Sequence, residues 1–135
     1  MKQMLVTVND YHRLMDQMEF PSIKAKMPQI VEQLHDALMS AKMLPPQNIS
    51  SSVITMNSKV LLKDLSTGRE AEVTITYPKD ADHRETKVSV FSKIGIALLG
   101  KQAGDTVSWK VPDGNGQFEI LRVTYQPEAD GDYYS

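Results

Sequence analysis

The amino-acid sequence predicts an α+β protein, in which two short amphipathic helices precede an antiparallel β-sheet that carries one short helix. Apolar side chains recur at helical spacing between residues 11 and 41. After residue 53, apolar and polar side chains alternate along several short segments, as they do in half-buried strands. Hydrophobic residues make up 41% of the 135 positions and charged residues 24%, so the chain can bury a core.

The first element is predicted to be a short strand at residues 3–8, followed at once by a helix. Asn9 or Asp10 is expected to cap this helix, because either side chain can accept a hydrogen bond from a free amide of the first turn. Pro21 is expected to end it. The apolar side of this helix consists of Tyr11, Leu14, Met15 and Met18.

A second helix is predicted to begin at Pro28, since proline suits the first turn, and to stop before the proline pair at positions 45 and 46. A brief loop would join the two helices into a short antiparallel, coiled-coil-like hairpin, which makes residues 1–47 the N-terminal unit. Residues 48–52 are small and polar and are predicted to be a linker. The apolar side of the second helix consists of Ile30, Val31, Leu34, Leu38 and Ala41.

Residues 53–135 are predicted to form the sheet domain. A turn is expected at residues 66–68 and a hairpin turn at residues 113–116, where aspartate, asparagine and glycine tolerate a positive φ angle. Ser92 is expected to cap a short helix that Gly100 ends. The predicted strands are residues 53–55, 59–65, 71–77, 87–91, 105–111 and 118–125.

Composition excludes several classes of function. Fifteen basic and 17 acidic side chains give a net charge of -2, so we expect no direct sequence-specific binding of nucleic acid. The absence of cysteine excludes disulfides and thiolate chemistry. No apolar run approaches the roughly 20 residues that span a bilayer, and no signal peptide is recognisable. We therefore expect a cytoplasmic monomer that has no contact with a membrane.

Two motifs resemble catalytic or ligand-binding sites but do not predict an enzyme. Residues 95–101 (Gly-Ile-Ala-Leu-Leu-Gly-Lys) come close to a phosphate-binding loop, but position 102 is glutamine and the apolar residues suit a buried helix. The acidic group Asp80, Asp82 and Glu85 beside His83 is more typical of a solvated loop than of a metal or acid–base site. His12 and His35 are expected on the surface. We expect no cofactor, no metal and no catalytic residue.

Several segments resemble the C-terminal domain of the bacterial Gre transcript-cleavage factors. They are residues 53–60 (Val-Ile-Thr-Met-Asn-Ser-Lys-Val), 64–68, 77–82, 95–100, 104–105 and 109–112 (Trp-Lys-Val-Pro). The ending at residues 125–133 (Tyr-Gln-Pro-Glu-Ala-Asp-Gly-Asp-Tyr) is similar to that of the related regulators of nucleoside diphosphate kinase. The resemblance implies a fold like that of FK506-binding proteins. It also implies a regulator that binds bacterial RNA polymerase at the rim of the secondary channel.

In the Gre group, the corner between a strand and the following helix contacts the polymerase. The matching residues here are Ser89, Phe91, Ser92, Lys93 and Ile94. Many relatives have proline where this chain has Lys93. Phe91 fits a core position and a contact position equally, since it alternates with Ser89 along a strand, and Ser92 fits a helix cap as well as a contact.

The length and charge of the predicted hairpin predict that this protein, unlike a Gre factor, does not stimulate transcript cleavage. A Gre factor uses a long coiled coil to carry paired acidic residues to the polymerase active site. A helix of roughly fourteen residues reaches only about 20 Å here. The hairpin tip carries Lys24 and Lys26 with one acid, Glu19, so the paired carboxylates are missing.

Two other functions stay open at this stage. The chain fits a cytoplasmic module that binds another protein, including one that regulates nucleoside diphosphate kinase. A fold like that of FK506-binding proteins also admits peptidyl-prolyl isomerase activity. However, the aromatic pocket of those enzymes is not recognisable, and Trp109 and Phe118 occupy positions that suit the core of a sheet.

Overall fold

The computed structural model of the chain describes residues 3–112 and 114–133. Over these residues the protein is a mixed α+β structure, as the sequence predicts, with a curled sheet and four α-helices where three were expected. The elements in chain order are β1 (Leu5–Thr7), α1 (Val8–Met18), α2 (Pro21–Lys26), α3 (Pro28–Met39), β2 (Lys42–Leu44), β3 (Lys59–Asp64), β4 (Glu70–Thr76), β5 (Lys87–Ser89), α4 (Lys93–Leu98), β6 (Thr106–Val111) and β7 (Gly114–Tyr125).

Helix α1 begins earlier than the sequence predicts. Thr7 caps it, because its Oγ1 accepts a hydrogen bond of 3.0 Å from the backbone amide of Asp10. The prediction of Asn9 or Asp10 as the cap was therefore wrong. The last residue of β1 serves directly as the cap, so no residue is left between strand and helix.

The connection between the two predicted helices is itself helical. Pro21 does not end α1, which finishes at Met18, but occupies the first turn of α2, where its missing amide leaves no hydrogen bond unmade. The prediction of a brief loop was wrong for this reason. Pro28 begins α3 as predicted. The three helices contact one another, whereas the coiled-coil-like packing stays a prediction.

Residues 42–44 form a strand that the sequence does not predict. Helix α3 ends at Met39, and β2 then pairs in parallel with β1, so that Leu5 lies opposite Lys42 and Thr7 opposite Leu44. The amide of Lys42 donates to the carbonyl of Met4 over 2.9 Å. This pairing ends the helix before the prolines that were expected to end it.

The main sheet has the strand order β5-β4-β3-β7-β6. The pairs β3–β4, β3–β7 and β6–β7 are antiparallel, but β4–β5 is parallel, which corrects the prediction of a purely antiparallel sheet. Two short 3-10 turns, Pro78–Asp80 and His83–Glu85, lie in the connection that returns the chain to enter β5 alongside β4. Residues 53–55 form no strand of the sheet; Val53 makes a single bridge to Gln102.

The C-terminal residues are packed on the rest of the molecule. Gln126 is buried, and its Nε2 donates to the carbonyls of Ser50 and Val53, each over 2.8 Å. The side chain of Asn9 donates to the carbonyl of Tyr133 over 2.8 Å. In the predicted hairpin turn at residues 113–116, β7 already begins at Gly114, opposite Val111, and Asp113 lies outside the described residues.

One hydrophobic core joins the N-terminal helices to the sheet. It includes Leu14, Leu34 and Leu38 from the helices together with Ile54, Val60, Ile75, Phe91, Leu98 and Ile120. The core therefore contains residues from both sides of the predicted linker, and Ile49 within the linker is also buried. The division into units at residues 48–52 stays a prediction, as does the likeness to FK506-binding proteins. Within the described part of the chain, no helix has the length and apolar character needed to cross a membrane.

Candidate functional site

The corner between β5 and α4 is built by two serines that serve the backbone. The Oγ of Ser89 accepts from the amide of Phe91 over 3.0 Å, and the hydroxyl of Ser92 donates to the carbonyl of Ser89 over 2.6 Å. Ser92 Oγ also accepts from the amide of Gly95 over 3.0 Å, which makes it the cap of α4 as the sequence predicts. These hydrogen bonds hold the corner in one shape, so the serines position neighbouring side chains.

Gly95 allows the corner to fold tightly against the sheet. A Cβ atom at this position would collide with the backbone of Ser89 and Val90. The segment 95–101, which resembles a phosphate-binding loop in sequence, therefore begins within the closely packed helix α4. Gly100 follows the helix in the left-handed conformation (φ 79°). A helix in this place offers no loop for phosphate, and the reading of this run as helix packing is confirmed.

The five predicted contact residues divide into a buried and an outward group. Phe91 is only 1% exposed and belongs to the core, so its side chain is not available for a direct contact on this surface. Lys93 is exposed, and Ile94 is half-buried at the outer side of the corner. Of the predicted set, Lys93 is the exposed residue, and Ser89, Ser92 and Ile94 are half-buried.

Two grooves meet at this corner. The edge groove, of about 550 Å³, lies between α3, α4 and β6, and Lys93 lines it. The sheet groove, of about 330 Å³, is lined by Ile94 together with Trp109 and Phe118, whose rings are stacked 3.9 Å apart at an angle of 4°. Trp109 lines both grooves.

Trp109 and Phe118 were assigned to the core of the sheet from their strand pattern; both pack against the core but are only half-buried. Both line the sheet groove, and Trp109 also lines the edge groove. The sequence feature that could have indicated an interface here is that Trp109 is the single tryptophan of the chain. Tryptophan is enriched at interfaces because a large apolar ring and a polar N–H stand on one side chain.

The predicted tip residues lie at the junction of α1 and α2. Lys24 Nζ stands 3.2 Å from Glu19 Oε2, and both side chains are at least half exposed. Lys26 is exposed at the end of α2. The one acid of the tip is therefore paired with a lysine, and the exposed Phe20 lies beside it.

A buried polar cluster attaches α1 to the sheet domain. Asp10 Oδ2 accepts from the amide of Met56 over 3.1 Å, while Thr55 Oγ1 donates to Glu128 Oε1 over 2.7 Å. Burial raises the pKa of Asp10 from its ordinary 3.8 to about 7, and the nearby Glu128 adds to the rise. Asp10 is 3% exposed, so this perturbed carboxyl fastens the helix and does not face a substrate.

The three histidines and the acidic loop lie at the surface. His12, His35 and His83 are exposed, as predicted. Over residues 3–112 and 114–133, no three His, Asp or Glu side chains are grouped in a way that would hold a metal ion.

Comparisons with known proteins agree with this architecture. Residues 49–125 match the family model described as transcription elongation factor, GreA/GreB, C-terminal domain. The regulator of nucleoside diphosphate kinase of Escherichia coli K12 is 39% identical over 105 residues, which cover 77% of each chain. Transcription elongation factor GreA of Amoebophilus asiaticus is 33% identical over 95 residues, which cover 70% of this chain and 60% of the relative.

Solved structures show the same similarity. A prokaryotic GreA/GreB elongation factor from Nitrosomonas europaea superposes with a TM-score of 0.79 at 32% identity, over 90% of this chain and 99% of that chain. The transcription factor Gfh1, at 23% identity and a TM-score of 0.53 over 92% of this chain and 99% of its own, is similar in fold alone. These relatives are transcription factors or regulators. The chain belongs to the GreA/GreB family of transcription elongation factors.

Proposed function

We propose that this protein is a transcription regulator that binds bacterial RNA polymerase near its secondary channel and does not stimulate transcript cleavage. Family membership supports polymerase as the partner. The corner that carries Lys93 and Ile94 corresponds to the contact surface of the Gre group, and its two grooves give a partner apolar and charged surface. This function places the protein in the cytoplasm, where the polymerase acts.

The tip supports the second part of the proposal, that the protein does not stimulate transcript cleavage. Helix α1 has 11 residues and α3 has 12, so each reaches about 17 Å at 1.5 Å per residue. Assisted cleavage needs paired carboxylates at the end of a long projection. Here Glu19 is held by Lys24 at 3.2 Å, and Lys26 adds a further positive charge. Such a tip is too short and has the wrong charge to hold a catalytic metal.

Direct binding tests the docking half. The purified protein is titrated against core RNA polymerase, with a GreA factor as competitor. We expect saturable binding that the competitor displaces. Lys93→Glu and Ile94→Ser are expected to weaken it at least roughly tenfold, because they change the outward residues of the corner. Lys79→Glu, an equal change of charge at an exposed position that lines neither groove, serves as the control. Absence of binding at tens of micromolar would remove the docking hypothesis.

A cleavage assay on backtracked elongation complexes tests the other half. We expect no cleavage above the intrinsic rate of the polymerase, while a GreA factor in parallel accelerates it. Cleavage comparable to that of the GreA factor would contradict the proposal even if binding were established.

A second candidate follows from the relative named regulator of nucleoside diphosphate kinase, which is 39% identical to this chain over 105 residues. We propose it as the alternative: a module that binds another cytoplasmic protein. Titration against purified nucleoside diphosphate kinase distinguishes the two. Saturable binding to the kinase without binding to polymerase would favour this alternative.

A further inference from the structure

Strand β6 is an open edge of the main sheet. It stands last in the order β5-β4-β3-β7-β6, and within the described residues its strand pairing is to β7. It has six residues, so the free edge is about 20 Å long at roughly 3.3 Å per residue. Amides and carbonyls on the outer side of such a strand have the geometry to pair with one more strand.

The edge groove runs beside this free edge. Residues 106–110 of β6 form one wall, and residues of α3 and α4 form the other, with the apolar side chains of Ile30, Ile96 and Ala97 among them. A volume of about 550 Å³ accommodates an extended segment of a few residues. The groove therefore offers backbone hydrogen bonds on one side and apolar contacts on the other.

The charged side chains that line the groove have one sign. Among the described residues these are Lys93, Lys101 and Lys110, with no aspartate or glutamate in the lining. Burial lowers the pKa of Lys101, which Asp105 partly offsets, so a carboxylate entering the groove would stabilise the charged lysine. The whole chain has a net charge of -2, so the positive charge of the three lysines is concentrated in this groove and is not a property of the whole surface.

We propose that the edge groove binds an extended, acidic peptide segment of a partner protein, which adds to β6 as a further strand. Such addition takes its affinity from main-chain hydrogen bonds and its selectivity from alternate side chains. The observations favour a peptide over RNA, because the edge presents both donors and acceptors whereas phosphates only accept. The edge groove shares Lys93 with the corner of the proposed function, but the test below uses an isolated peptide without polymerase, so the two proposals can fail separately.

The test uses the full chain and a labelled peptide of about eight residues in which glutamate alternates with valine or threonine, long enough to span the edge. Trp109 is the single tryptophan and lines both grooves, so its emission reports binding at either groove independently of the label, and hydrogen exchange of β6 then distinguishes the edge groove from the sheet groove. We expect saturable binding with a change in Trp109 emission. Amide hydrogen exchange is expected to slow on the outer side of residues 106–111.

Matched changes in the peptide and the protein separate the two contributions. Methylating alternate peptide amides removes donors without touching charge, and replacing glutamate with lysine reverses charge without touching the backbone. Each change is expected to abolish saturable binding. Lys110→Glu changes an exposed lysine of the groove and is expected to weaken binding roughly tenfold. Lys79→Glu, outside the groove, is expected to leave it unchanged.

Three results would overturn the proposal. Absence of binding up to about 1 mM peptide would contradict peptide binding. The lysines would then serve to prevent β6 from pairing with other chains. Equal binding of the methylated peptide would exclude strand addition. A single-stranded oligouridine that bound more tightly than the acidic peptide, with the same change in Trp109 emission, would assign the groove to nucleic acid.

Discussion

The N-terminal helices and the main sheet are held in place by different interactions. In the sheet, β3 pairs along its length with β4 on one side and β7 on the other, so backbone hydrogen bonds determine the position of each strand. Among the described residues, the N-terminal segment donates one backbone hydrogen bond to the sheet domain, from Leu5 N to Gly100 O at 3.3 Å, and the side chain of Asp10 accepts another from Met56 N at 3.1 Å. The position of the helical segment depends on a small number of buried side chains. A single substitution of one of them should therefore move the tip with Glu19 and Lys24 relative to the corner between β5 and α4.

The largest effect is expected at the corner itself. Phe91→Ala removes a buried aromatic ring from the sheet side of the core, and we expect a loss of about 3–5 kcal/mol in the free energy of unfolding. Urea unfolding followed by Trp109 fluorescence measures it. A loss below about 1 kcal/mol would mean that the ring is not packed as described and is free to serve as a contact residue.

A comparable change on the helical side tests whether the two regions unfold together. Leu14 is fully buried in α1, and Leu14→Ala is expected to lower stability by about 2–5 kcal/mol. Because one core joins the regions, we expect helical circular dichroism and Trp109 fluorescence to be lost in the same transition. Loss of helix before any change in fluorescence would instead establish an N-terminal unit separate at residues 48–52, as the sequence predicts.

The attachment of α1 is expected to depend on pH through Asp10. Its folded pKa of about 7 lies above the ordinary 3.8, so the folded protein binds more protons between about pH 4 and pH 7. Stability therefore falls as the pH rises through this window, by at most roughly 1.4 kcal/mol per pH unit, and is level above it.

Asp10→Asn removes this titration and keeps an oxygen that accepts from the amide of Met56. Relative to the native chain, the variant is expected to gain stability as the pH rises from about 4 to about 7. Urea unfolding of both proteins at several pH values is the measurement, with Asp16→Asn at an exposed position of α1 as the control. A difference that does not change with pH would show that Asp10 is not the responsible group.

The smallest effect is expected at the tip. Glu19 and Lys24 form an exposed ion pair, and such pairs contribute roughly 0–1 kcal/mol. Glu19→Gln should therefore leave the thermal midpoint nearly unchanged and make the tip more positive. If cleavage activity were detected in the native protein and lost in this variant, Glu19 would have a role that the proposed function denies.

Sequence patterns predicted those elements that local chemistry specifies. Alternation identified β3, β4, β6 and β7 to within a few residues, and the Ser92 cap with Gly100 identified α4. The same reasoning failed where a residue suits two roles. Pro21 is compatible with stopping a helix and with starting one, and the chain uses it to start α2.

The candidate site was only partly predictable. The resemblance located the corner, but the sequence did not distinguish Phe91 in the core from Lys93 and Ile94 at the surface, since all three lie within four positions. The sequence also did not predict that Trp109 and Phe118 lie in the grooves, because a strand pattern shows which residues share a face of the sheet and not what covers that face.

The sequence by itself determined the α+β class, the family and most of the strands, because periodicity, capping and turn residues act over a few positions. Only the tertiary structure decided which strands pair in parallel. Strand β2 pairs with β1 from more than thirty residues earlier in the chain, and β5 joins β4 after a connection with two 3-10 turns. Of the three-residue strands, β1 and β5 were predicted from the sequence and β2 was not, and the partner of each depends on which edges the folded core leaves within reach.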